Sequence, residues 1–246
     1  MAKASGLGAT FLVDGVNLSG DVGAVKKISA PTDTLDVTGL DKSAYERING
    51  LYDGAIEFNS FFNDASGAAL ATLKAKGSGS DRVVTYYNAG TAGGMSAHLV
   101  AKQLNYDGSR EADGMLSFDA ACEGNGFGLE YGSLLTAGLR TDTGATNGTG
   151  VDGGAASSLG LAATLQVTAF TGTSVTVAIQ ESSDNGGGDA YAAVSGGAFA
   201  AASAVGAQRI VTSLTLAVER YLRVVTTGTF NPATFAVTVT RTPYAS

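Results

Sequence analysis

The chain has 246 residues, 44% of them hydrophobic, with 35 Gly, only 3 Pro and no Trp. Its net charge is −7, and residues 1–130 carry 16 acidic side chains against 10 basic ones. The apolar content argues against wholesale disorder, and the acidic balance disfavours adhesive binding to nucleic acid or anionic membranes, which needs Lys and Arg against phosphates.

Many glycines imply many tight turns and few prolines leave strands uninterrupted, so the composition points to a mainly β chain. The single cysteine, Cys122, rules out an internal disulfide. The opening MAKASGLGAT lacks the apolar core of a signal peptide, and no apolar run approaches membrane-spanning length. Synthesis in a cytoplasm without export by that route is expected.

Residues 10–15 and 16–21 read as short strands around an Asp14-Gly15 turn, a strong hairpin signal. Residues 34–38 lead into a long loop, TGLDKSAYERINGLYDG, at 38–54. It is too long for a hairpin turn and rich in large apolar residues: Leu40, Tyr45, Ile48, Leu51 and Tyr52. The run 54–63 alternates, Ile56 and Phe58 on one face and Glu57 and Asn59 on the other. Asn63 or Asp64 can then cap a helix through about Ala75. Residues 82–87, 95–106 and 114–122 supply three further strands.

The stretch DTGATNGTGVDGG at 142–154 is of low complexity, and the charge balance shifts around it. It suggests a domain of residues 1–127, a flexible linker at 128–150 and a second domain at 151–246. Beyond it, residues 163–170, 174–180, 220–226 and 234–240 alternate in short strands joined by Gly-rich turns, the pattern of a β-sandwich.

The residues offer little chemistry. His98 is the only histidine and sits in a strand, where a strand-face role outweighs a catalytic or zinc role. Cys122, among small residues, reads as a core thiol without an activating base. Asp184, Asn185 and Asp189 could offer hard oxygens to calcium, but their spacing misses the EF-hand loop and suits a polar turn better. No phosphate-binding or dinucleotide fingerprint is present. No catalytic, metal-binding or cofactor-binding residue is therefore expected.

The strands at 54–63 and 95–104 have no Pro, and the first has no Lys, so they lack usual protections of sheet edges. An open edge of that kind is covered by a partner or aggregates. A loop carrying Leu40, Tyr45, Ile48, Leu51 and Tyr52 either reaches a neighbouring copy or folds back over its own sheet.

Together MAKASGLGATFLVDG, DVTGLDKSAYERI, GAIEFNSFFNDA and the Ala-rich segment after it resemble the major tail (tail tube) proteins of long-tailed bacteriophages, over about residues 1–125. The second half, through LQVTAFTGTSVTVAIQESSDNG and ERYLRVVTTGTF, resembles an accessory β-sandwich found on phage structural proteins. The resemblance implies an N-terminal β-barrel or sheet domain with one α-helix, followed by an Ig-like or jelly-roll-like sandwich. It implies a non-enzymatic virion tail subunit that forms stacked, commonly hexameric rings, the conduit for genome ejection. It also implies tape-measure and tail-terminator proteins as partners, with DNA passing through without specific binding. On this basis the 38–54 loop is assigned to assembly contacts, and the lumen is expected to be acidic, Asp36, Glu57, Asp113 and Asp119 being candidates alongside Asp14, Asp33, Asp107 and Glu111. The alternative is a carbohydrate-binding or adhesion module on a virion surface, the C-terminal domain making a weak host-glycan contact.

Overall fold

A period of two sends alternate strand residues to opposite faces. In the run AIEFNSF it buries Ile56, Phe58 and Ser60 completely and turns Glu57, Asn59 and Phe61 outward. The computed structural model describes residues 5–75 and 80–243, and it is mainly β throughout. In chain order come β1 (Thr10–Val13), β2 (Val16–Asn17), β3 (Val22–Ser29), β4 (Thr32–Asp36), β5 (Arg47–Tyr52) and β6 (Ala55–Phe61). A helix, α1 (Ala69–Leu73), precedes β7 (Arg82–Tyr87), β8 (Met95–Gln103), β9 (Asp107–Arg110) and β10 (Leu116–Gly124). The rest comprises β11 (Glu130–Leu134), β12 (Arg140–Asp142), β13 (Thr146–Asn147), β14 (Val151–Asp152), β15 (Ala162–Ser182), β16 (Ala192–Ala198), β17 (Gly206–Val211) and β18 (Tyr221–Thr240).

In the N-terminal half the order β3-β6-β10-β8-β7-β1 curls around one core. Phe11 of β1 meets Phe58 of β6 with ring centroids 4.6 Å apart, so β1 packs across the curl against β6. The curl does not close into a barrel: among the described residues β1 and β3 do not pair. The Asp14-Gly15 turn forms as expected, with φ of 51° and 83°, the left-handed pair that suits a two-residue hairpin.

The helix is shorter than expected. Gly67 takes φ 74°, and Asn63 spends its side-chain oxygen on the nearby Ala65 N–H. The cap comes instead from Asp21, whose carboxylate accepts the Ala69 N–H at 2.8 Å and the Asn63 amide at 2.8 Å. A cap supplied across 48 residues leaves no local signature.

The expected edge strands are interior. β6 lies between β3 and β10, while β8 has β7 on one side and β11 and β10 sharing the other. Freedom from Pro suits strands paired on both sides. The outermost strand is β3, and it carries Lys26 and Lys27, a usual guard of an open edge.

In the C-terminal half the four short strands expected merge into two long ones. β15 and β18 pair antiparallel from Ala162↔Thr240 to Ser182↔Tyr221, with irregularities between Val167 and Ser174. Gly172 and Gly228, at φ 144° and 117°, sit at this bend, where a Cβ would lie 2.5 Å from Phe230 Cα and 2.4 Å from Ser174 O respectively. The bent ribbon encloses one core, with Leu165 and Val167 from one limb and Val175, Val177 and Ile179 from the other.

Residues 128–150, expected as a flexible linker, are instead structured: β11, β12, β13 and then β14 cover the second edge of β18 in succession. Thr- and Asn-rich letters that read as a spacer serve equally well in short ladders along a long exposed strand. The halves are thereby joined in one sheet. Leu12, Tyr87, Leu134 and Ala236 form a small buried cluster at the join.

Candidate assembly arm

Only Ala30-Pro31 separates β3 from β4, and only Asp53-Gly54 separates β5 from β6. The β4–β5 pair is thus the outward continuation of the β3–β6 ribbon, and it forms a two-stranded sheet of its own. Leu35 stands opposite Ile48 and Asp36 opposite Arg47. At the tip the Asp36 carboxylate accepts the Thr38 N–H at 2.9 Å and the Thr38 hydroxyl at 2.5 Å, while Thr38 Oγ1 accepts the Glu46 N–H. The bonds from Thr38 hold the Asp36 carboxyl below its ordinary range. The Arg47 guanidinium lies 4.7 Å over the Tyr45 ring.

The large side chains of this arm meet solvent. Leu40 is 110% exposed, Leu51 80% and Tyr45 71%, and Ile48, Tyr52, Leu35 and Val37 are also exposed. The arm does not fold back over its own sheet. Leu35 and Ile48 stand opposite each other and so project from the same side of the ribbon. An isolated two-stranded ribbon is marginally stable in water, and scattered single apolar residues are normal on a surface. Seven within 18 positions on one projecting ribbon form an exposed apolar surface.

The candidate acidic residues do not gather. Asp36 organises the arm tip, and Asp113 accepts the Met115 N–H in the β9–β10 turn. Glu57 and Asp119 do share the outer face of β6 and β10, but each has a cation beside it: Lys27 at 3.1 Å from Glu57, and Lys26 at 2.5 Å from Asp119. Hydrogen bonds from Lys26 and Asn59 hold the Asp119 carboxyl low. The face is therefore a lattice of alternating charge.

The remaining candidates are structural. Cys122 is fully buried, and burial pushes its thiol up to about 12. Asp184 turns its carboxylate onto the N–H groups of Gly187, Gly188 and Asp189, and Asp189 accepts the Ser183 N–H. These oxygens close a turn, and among the described residues no group of three or more His, Cys, Asp or Glu is arranged for a metal. In the C-terminal half, guanidinium groups lie over two tyrosine rings, Arg223 4.1 Å from Tyr191 and Arg220 5.0 Å from Tyr221, and Arg140 lies 5.5 Å from the buried Phe235.

His98 has partners that sequence reasoning missed. Its Nε2 lies 3.0 Å from Glu130 and its Nδ1 3.2 Å from the Thr238 hydroxyl. A hydroxyl, an imidazole and a carboxylate in line repeat the chemistry of a nucleophile triad. All three are buried, with Thr238 at 0% exposure, so no substrate carbonyl reaches the hydroxyl. Arg209 completes the set, holding Glu130 through two bonds of 3.1 and 2.7 Å.

No family model matches the chain and no curated protein matches it. Among solved structures, a chain from the virion of a native gene transfer agent particle is similar at 17% identity and a TM-score of 0.36, over 49% of this chain and 94% of that one. The SPP1 Dit protein, described as a paradigm of hub adsorption apparatus in Gram-positive-infecting phages, is similar at 10% identity and a TM-score of 0.30, over 94% of this chain and 99% of that one. Both likenesses are loose in shape and in sequence.

Proposed function

We propose that this chain is a structural subunit of a bacteriophage-type virion tail, and that the β4–β5 arm holds one copy to the next. The observation that carries the reading is the arm itself: a ribbon projecting from the body with Leu40, Tyr45, Ile48, Leu51 and Tyr52 all exposed. Burying a large apolar side chain contributes roughly 1.5–3 kcal/mol, so three or four of these anchors suffice for a firm contact. An arm on one surface that seats on a different surface of its neighbour is a heterologous contact, which closes into rings or propagates as a stack. The resemblance of residues 1–125 to tail tube proteins supports the ring-and-tube outcome, with six copies per ring, tape-measure and terminator proteins as partners and DNA passing through.

The test is a light-scattering concentration series on the full chain and on Leu40→Asp/Leu51→Asp. The wild type is expected to form assemblies of many copies. The variant, with unchanged far-UV circular dichroism, is expected to stay monomeric. A variant that assembles as the wild type does removes the arm from the account.

A further inference from the structure

The halves meet along a short join: β11 and β18 share only the pairs Ser133↔Val239 and Leu134↔Thr238. Beside it lies a buried polar cluster drawn from four strands, with His98 on β8, Glu130 on β11, Arg209 on β17 and Thr238 on β18. We propose that these four side chains form an acid-releasable clasp that locks the C-terminal half onto the N-terminal half. This inference is independent of the assembly reading.

A carboxylate only accepts hydrogen bonds, so His98 Nε2 carries the hydrogen between it and Glu130, an assignment made from the network. Glu130 Oε2 then takes bonds from His98 and from Arg209 Nε, while Oε1 takes Arg209 Nη2. The Arg209 guanidinium also lies 3.9 Å over the Phe127 ring, and its side chain is only 7% exposed. With Glu130 charged, every one of these groups is paired. With Glu130 protonated, a buried guanidinium loses its counter-charge, and an uncompensated buried ion is strongly unfavourable.

The surroundings offer no substitute anion. Thr85 stands opposite His98 on β7, and Thr164 stands opposite both Arg209 and Thr238 on β15. Among the described residues, His98 and Arg209 are the charged or titratable groups that act on Glu130. Desolvation raises the Glu130 carboxyl, and the bonds and charges of His98 and Arg209 outweigh it, leaving it below its ordinary value. A depressed carboxyl contributes stability that is complete above its unfolded value, near 4.3, and is lost as pH falls through its folded value. The clasp therefore holds at neutral pH and begins to loosen only in acid, once pH falls below about 4.3.

Hydrogen-exchange protection factors on the full chain test this, read between pH 7 and pH 3. The expected result is that amides of 83–87, 130–134 and 206–211 lose at least about tenfold more protection in acid than amides of 175–181, which are paired far from the join. Glu130→Gln is expected to show the reduced junction protection already at pH 7, with no further selective loss in acid. Uniform loss across both sets, or an unchanged acid response in Glu130→Gln, overturns the proposal. Should Glu130→Gln fail to fold, Arg209→Lys retains the charge but not the two-pronged contact, and is expected to release at a higher pH. An unaltered release pH in that variant also overturns it.

Discussion

Gly15 shows how much a single position carries. It sits at φ 83°, its N–H donates to Gln166 Oε1 at 2.6 Å, and a Cβ there would lie 2.5 Å from Val167 O. Gln166 in turn donates to Val83 O and to Thr85 Oγ1, so a turn at one end of the chain is plugged into the other half. Gly15→Ala is expected to destabilise the protein by more than about 1 kcal/mol, since the change meets both a left-handed backbone and a wall of backbone atoms. Urea denaturation checks this, and an unchanged midpoint would contradict the packing described. Cys122, buried with its thiol pushed up to about 12, is expected to resist thiol reagents at pH 8 in the native state and to react fully in denaturant. Rapid labelling of the native protein would place that strand nearer the surface. Gly15 was legible as a turn residue but not as a plug, because its contact lies 151 residues away. His98 was legible as a strand residue, but its partners at 130 and 238 become neighbours only through the fold.

At the scale of elements, the period of two identified strands well and their pairing poorly. The runs at 54–63 and 82–87 are strands as expected, yet the lack of Pro and Lys in the first signalled an interior strand where an edge was read. The runs at 163–170 and 174–180 are two limbs of β15, since a bend at Gly172 interrupts alternation much as a turn does. The spacer-like letters at 142–154 conceal the same ambiguity, because β13 and β14 there pair with β18. Truncation follows from this pairing. A chain ending at residue 150 loses β15 and β18, leaving β12 and β13 without a partner strand and β11 paired only with β8, and is expected to show no cooperative thermal unfolding. A sharp transition in that fragment would mean the first half stands alone. The arm is separable in a way β18 is not. Replacing residues 32–52 with a two-residue turn is expected to move the melting temperature by less than about 2 °C, because the exposed ribbon contributes little to the core. A much larger shift would show the arm packed on its own body.

For the whole molecule, a net charge of −7 disfavours trapping nucleic acid, but the distribution is more even than the total suggests. Lys26 and Lys27 sit against Asp119 and Glu57 on one sheet face, where exposed ion pairs contribute about 0–1 kcal/mol each. Glu57→Lys/Asp119→Lys would turn that face strongly positive. If the face lines a DNA conduit, particles carrying the variant are expected to assemble and to eject DNA more slowly; normal ejection would place these residues away from the path. On the proposed reading the arm works only with a second copy present. Negative-stain electron microscopy of the purified full-length chain at high concentration tests that most directly. The account predicts rings or stacked tubes with a central hole. A field of single particles of 24.5 kDa, unchanged as concentration rises, would contradict it.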